Sequence, residues 1–159
     1  MEKEKTQETS KEITKDLNFV WHFPQSPEEV WACLTTPELI EKWIMRNDFK
    51  PEIGHEFKFT SKPMPGWCGV IECKVLEIEP LKKLKYTWVS GPEIGSKEVD
   101  TTVTWQLNPD SNGTTLTLDH AGFKGEKAVM SAGMLEQGWS SSVVKKLETV
   151  LAEYSNEKK

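Results

Sequence analysis

LNFVWHFPQSPEEVWACLTTPELIEKW, residues 17–43, carries the first commitment of this chain to a fold. Its opening half alternates: Leu17, Phe19, Trp21 and Phe23 are separated by Asn18, Val20 and His22, the period-two pattern of a strand with one face in a core. Pro24 ends the strand. Ser26, Pro27 and Glu29 then supply an N-cap, a proline at the first helical position and a glutamate three residues after the cap, and Val30, Trp31 and Leu34 mark the side to be buried. Thr36-Pro37-Glu38 repeats the start signal ahead of Leu39, Ile40, Trp43 and Ile44. The stretch therefore reads as one strand feeding an elbow of two short helices.

Downstream of Asn47 and Asp48 the texture becomes that of strands. Phe57 and Phe59 belong to one, and Pro63, Pro65 and Gly66 mark the turn that follows. Trp67 to Glu79 is long, with Ile71, Cys73 and Val75 on one face and Leu76 and Ile78 on the other, so a twist or bulge is expected within it. Leu84, Tyr86 and Trp88 alternate with Lys85 and Thr87; Val99, Thr101, Val103, Trp105 and Leu107 alternate with Asp100, Thr102, Thr104 and Gln106. Asn108 to Gly113 has the composition of a hairpin turn, after which Leu116, Leu118 and His120 form a last strand that Gly122 is expected to end. The C-terminal segment is helical, because Trp139, Val143, Leu147, Val150 and Tyr154 fall on one stripe at about 100° per residue. Met130 and Met134 fall off that stripe, Met134 by about 140° from Trp139 on an ideal helix. With Gly133 and Gly138 beside them, either a bend there or a front end of the helix that faces something different is expected.

Working back to the N-terminus, Glu2, Glu4, Glu8 and Glu12 mix with Lys3, Lys5 and Lys11 without any apolar period, so residues 1–12 are expected to be a mobile tail and residues 13–155 a single domain. The chain has 159 residues, 36% of them hydrophobic and 28% charged, enough apolar material for one core and too little bias for disorder. A formal net charge of -5 speaks against nucleic acid or an anionic membrane surface as partner. No apolar run approaches the roughly 18 residues of a membrane span and the first residues lack the apolar core of a secretory signal, so a cytoplasmic location is expected. Cys33, Cys68 and Cys73 are odd in number and lack zinc-ligand spacing, which fits reduced core thiols and no bound metal.

The order strand, two short helices, antiparallel strands and long helix predicts an α+β fold of the helix-grip type, a curved antiparallel sheet of about six strands with the long C-terminal helix packed across it. In that order the chain resembles the START-like, or SRPBCC, superfamily, and within it the activator of heat-shock protein 90 ATPase homologue family. The resemblance rests on Ser26 to Trp31 followed by Leu34; Thr36-Pro37-Glu38 with Leu39 and Trp43; Gly54 before Phe57 and Phe59; Val75-Leu76-Glu77 through Pro80 to Leu84 and Tyr86-Thr87-Trp88; Gly113-Thr114 through His120 to Gly122 and Phe123; and Gly138-Trp139. It spans about residues 13–151. His55 departs from it, standing where many members have a second glycine after Gly54. The resemblance implies one scaffold with several jobs, among them carriers of apolar ligands, cyclases and chaperone partners linked to the stress response.

A helix laid over a concave sheet encloses the kind of space in which small apolar ligands bind. Phe59, Tyr86, Trp88, Trp105, His120, Met130, Met134 and Trp139 are the expected wall of that space; equally, the aromatic rings among them could fill it as a solid core. Flexible thioethers at Met130 and Met134 suit a wall that adapts to different shapes. His120 shares a face with Leu116 and Leu118, where it could meet a ligand, act as acid or base, or be satisfied by the protein itself. Asp119 cannot assist it, since neighbours in a strand point to opposite faces. No nucleophile elbow, P-loop or Cys-His motif occurs, so no catalytic residue and no cofactor is expected. The leading expectation is non-enzymatic binding of a small hydrophobic or aromatic ligand by a monomer or homodimer. The alternatives are a modulator of a heat-shock chaperone ATPase, and a cyclase or hydrolase that uses His120.

Overall fold

A computed structural model of the chain describes residues 13–158. The expected tail, residues 1–12, lies outside these. The elements are β1 (Thr14–Phe23), α1 (Pro27–Thr35), α2 (Pro37–Trp43), β2 (Arg46–Asn47), β3 (Glu56–Thr60), β4 (Val70–Glu79), β5 (Lys83–Ser90), β6 (Val99–Asp110), β7 (Gly113–Lys124), α3 (Glu126–Gly138), a π-helical turn (Trp139–Val143) and α4 (Val144–Lys158). All strands join one antiparallel sheet in the order β1-β7-β6-β5-β4-β3-β2. This is the helix-grip arrangement, with seven strands rather than the six read from periodicity. The extra strand, β2, has two residues, too few to show any alternation.

The elbow forms as its sequence dictates. The Ser26 hydroxyl accepts from the Glu29 N–H at 3.2 Å while the Glu29 carboxylate accepts from the Ser26 N–H at 3.0 Å, a reciprocal capping box with Pro27 at the first helical position. Trp43, at the end of α2, is buried and donates its indole N–H to the Cys33 carbonyl at 3.0 Å, which ties the two short helices together. It is core, not rim.

Two bulges shape the sheet. In β4 the pairing steps from Val75 opposite Tyr86 to Glu77 opposite Lys85, so the long strand bends there, as its split apolar faces suggest. In β7 the pairing with β1 steps from Ala121 opposite Asp16 to Phe123 opposite Lys15. Gly122 is the extra residue, and its φ of 102° is one that a side-chain-bearing residue rarely adopts. Gly122 therefore does not end the strand. The extra residue lets His120 and Phe123 both point into the core, where their rings lie 4.7 Å apart.

The concave face of the sheet, the elbow and the C-terminal helix enclose one core. Its rings dominate: Trp43, Trp105, Phe23, Phe57, Phe59 and Phe123 are among its largest fully buried side chains. Each such ring removes roughly 150–250 Å² from water, worth about 4–6 kcal/mol at roughly 25 cal/mol per Å². The two halves of the long helix divide the labour, since α3 lies over β1, β7 and β6 while α4 packs on α1 and α2. No helix among the described residues is long and apolar enough to cross a membrane.

Candidate functional site

Six of the eight expected wall residues meet. Phe59, Tyr86, Trp88, Trp105, His120 and Trp139 are all buried. Strands β3, β5, β6 and β7 each present theirs at alternate positions, and Trp139 descends from the start of the π turn. Trp88 sits at the hub, its ring 5.4 Å from Phe59, 5.1 Å from His120 and 5.6 Å from Trp139, and Trp105 lies edge-on to Trp139 at 5.6 Å. The chamber expected between sheet and helix is thus filled by its own aromatic side chains.

Met130 and Met134 are not part of it. Both are 70% exposed, on the outer face of α3. The inward positions are Ala128, Ala132, Leu135 and Trp139, spaced four, three and four residues apart, so ordinary helical phase carries the methionines to the opposite side. The helix changes at a π turn that begins at Trp139, too late to rotate them inward.

His120 is held at both ring nitrogens. The Trp139 indole N–H can only donate, and it does so to Nδ1 at 3.2 Å. The ring proton therefore sits on Nε2 and is donated to the Thr101 hydroxyl at 2.9 Å, whose own proton goes to the Trp88 carbonyl at 2.8 Å. Burial pushes the His120 pKa down to about 3, so the ring is neutral near pH 7. Burial likewise pushes the Cys33 thiol up to about 12 and raises Cys73 and Tyr86 well above their ordinary values. All three are therefore uncharged near pH 7. Among the described residues no group of three or more His, Cys, Asp or Glu side chains gathers to hold a metal ion.

Thr101, Phe123 and Trp43 were missed as members of this site. Thr101 had a signal: a polar residue on the apolar face of β6, across from a strand that carries an inward histidine. Two open cavities lie at the surface, the first of them sharing Thr101 with this site. One of about 340 Å³ is lined by Thr87, Thr102, Ala121 and Gly122, above the β7 bulge, and one of about 420 Å³ lies between Lys42 of α2 and Lys145, Lys146 and Val150 of α4.

A family model described as Activator of Hsp90 ATPase homolog 1-like protein, from the SRPBCC superfamily, matches residues 24–152. Among solved structures, the chain is similar to protein MLL2253 from Mesorhizobium loti at 34% identity and a TM-score of 0.77, covering 87% of this chain and 98% of that one. Protein BH1534 from Bacillus halodurans is 27% identical with a TM-score of 0.71, covering 87% and 99%. CalU16 from Micromonospora echinospora, at 20% identity and a TM-score of 0.68 over 91% and 83%, shares the fold alone. No curated protein is similar enough to count as a relative.

Proposed function

The chain belongs to the Activator of Hsp90 ATPase homolog 1-like family, and we propose that this member binds a small apolar or aromatic molecule between the concave sheet and the C-terminal helix, without transforming it. The observation that carries this reading is the light attachment of α3 over the chamber. Its fully inward residues before Trp139 are Ala128 and Ala132, the smallest that can hold a helix to a sheet. Its N-cap, Gly125, makes no side-chain cap, and the helix breaks phase in a π turn at Trp139, the residue that closes the chamber. A π turn within a long helix often marks a functional position. Swinging α3 about that turn uncovers the β7 and β6 face where His120 lies and loosens Trp139 from Trp88 at the loss of little buried area, and a ligand that takes the uncovered surface makes this minor conformation the dominant one.

The state of His120 supports a non-enzymatic reading. A general base needs a free lone pair, and the Nδ1 lone pair already accepts from Trp139. The chaperone alternative draws on the family description, and the cyclase alternative requires the His120 network to be dismantled first.

Native mass spectrometry of protein purified from its own host, followed by a thermal-shift screen of lipids and aromatic metabolites, tests the proposal. A bound species of defined mass, or a shift matching the roughly 2.7 kcal/mol that a ligand adds at 100 times its dissociation constant, is expected. A clean apo mass together with no shift across the screen overturns the binding reading.

A further inference from the structure

Buried polar groups in folded proteins almost always find partners, so those that do not call for a reason. In this core the buried histidine, serine and threonine side chains are all hydrogen-bonded. Two donors are not. The Tyr86 hydroxyl accepts the Trp105 indole N–H at 3.0 Å, but its own proton has no acceptor. The Trp88 indole N–H has none either, although the indoles of Trp43, Trp105 and Trp139 each donate to an oxygen or nitrogen. Tyr86 is 3% and Trp88 2% exposed, so water at the surface does not explain the pair. They are two residues apart on β5, on the concave face, and both rings lie against Phe59. Residues at that spacing point the same way, roughly 7 Å apart along the strand.

We propose that Tyr86 and Trp88 form the polar recognition pair of the chamber and select a neutral apolar or aromatic ligand that carries a hydrogen-bond acceptor, a carbonyl oxygen above all. This inference rests on the binding reading given above. Neutrality follows from the surroundings: among the described residues no lysine or arginine is buried in the core, and His120 is held uncharged, so a carboxylate brought into the chamber meets no compensating charge. The carbonyl preference follows from the two groups being donors. A ligand with only a donor leaves both unmet, whereas a ketone, lactone, amide or quinone oxygen has two lone pairs and satisfies either or both.

The test is a matched pair of probes, benzophenone and diphenylmethane, alike in shape and differing in the carbonyl oxygen, titrated calorimetrically against the whole chain and against Tyr86→Phe and Trp88→Phe. The native protein is expected to favour benzophenone by about tenfold. Tyr86→Phe keeps its ring and removes only the hydroxyl, so it is expected to hold diphenylmethane as before and to lose most of the preference. Trp88→Phe removes the indole N–H together with part of the ring, so there the ratio of the two affinities is read, and it too is expected to fall toward one. Should one variant fail to fold, the other reads the same quantity. Equal binding of both probes by the native chain, or a preference that survives in both variants, overturns this assignment and leaves the chamber reading standing. Binding of neither probe overturns the carbonyl assignment, while the chamber reading itself stands or falls on the native mass and the lipid and metabolite screen.

Discussion

At His120 a side chain that elsewhere titrates near neutrality is held as a fixed neutral element of the core. Trp139 donates to one nitrogen, Thr101 accepts from the other, and burial pushes the pKa from 6.5 to about 3. Above pH 6.5 the native and unfolded chains both carry this ring neutral and its burial costs no proton. As pH falls through 6.5 the unfolded chain takes up a proton that the native chain refuses until about pH 3, so the unfolded state gains. Across that window this residue lowers stability by about 1.4 kcal/mol per pH unit. His120→Gln retains an acceptor for Trp139 and a donor for Thr101 but does not titrate. Urea midpoints measured from pH 7 down to about pH 4 are expected to fall less steeply in the variant; parallel curves mean that His120 protonates in the native state.

The elements depend on local chemistry of very different strength. The α1 capping box satisfies two backbone donors through one side-chain pair, so Ser26→Ala is expected to lower stability by about 1 kcal/mol, read from the urea midpoint. An unchanged midpoint means that the elbow is fixed by Trp43 and its neighbours alone. Helix α3 is the reverse case, poor in local support. A Cβ at Gly133 meets nothing within 4 Å, so Gly133→Ala changes helix propensity and no packing. It is expected to stabilise the chain by about 0.5–1 kcal/mol in the same melt. If α3 is the moving part, the variant also slows ligand association, measured by stopped-flow quenching of tryptophan fluorescence; an unaltered on-rate places the entrance elsewhere.

For the molecule as a whole, periodicity was enough to lay out strands, elbow and long helix, because alternation and the helical stripe report which face is buried. They do not report volume. Phe59, Tyr86, Trp88, Trp105, His120 and Trp139 were legible as one face, but whether six side chains interlock or leave room depends on register and rotamers across four strands. The partnership of His120 with Thr101 needed the same register. Gly122 marks the β7 bulge but reads equally well as the end of a strand, and Gly133 and Gly138 mark a change in the helix without its π form. The thioether argument for Met130 and Met134 fails because helical phase, not side-chain flexibility, decides which face they take.

The result is a domain whose stability is unevenly spread, and that yields the most direct test of how the chamber opens. Strands β5 to β7 and the α4 stripe of Leu147, Val150 and Leu151 hold the continuous core, whereas α3 adds two alanines and the partly buried Leu135. Native-state hydrogen exchange reads such differences residue by residue. Amides of α3 after its first turn, residues 130–138, are expected to open at a free energy several kcal/mol below that of residues 147–151, and in a denaturant-independent way, since lifting one helix exposes little surface. If α3 exchanges only with global unfolding, the helix is not a lid, and any ligand must enter by a route that leaves Trp139 on His120.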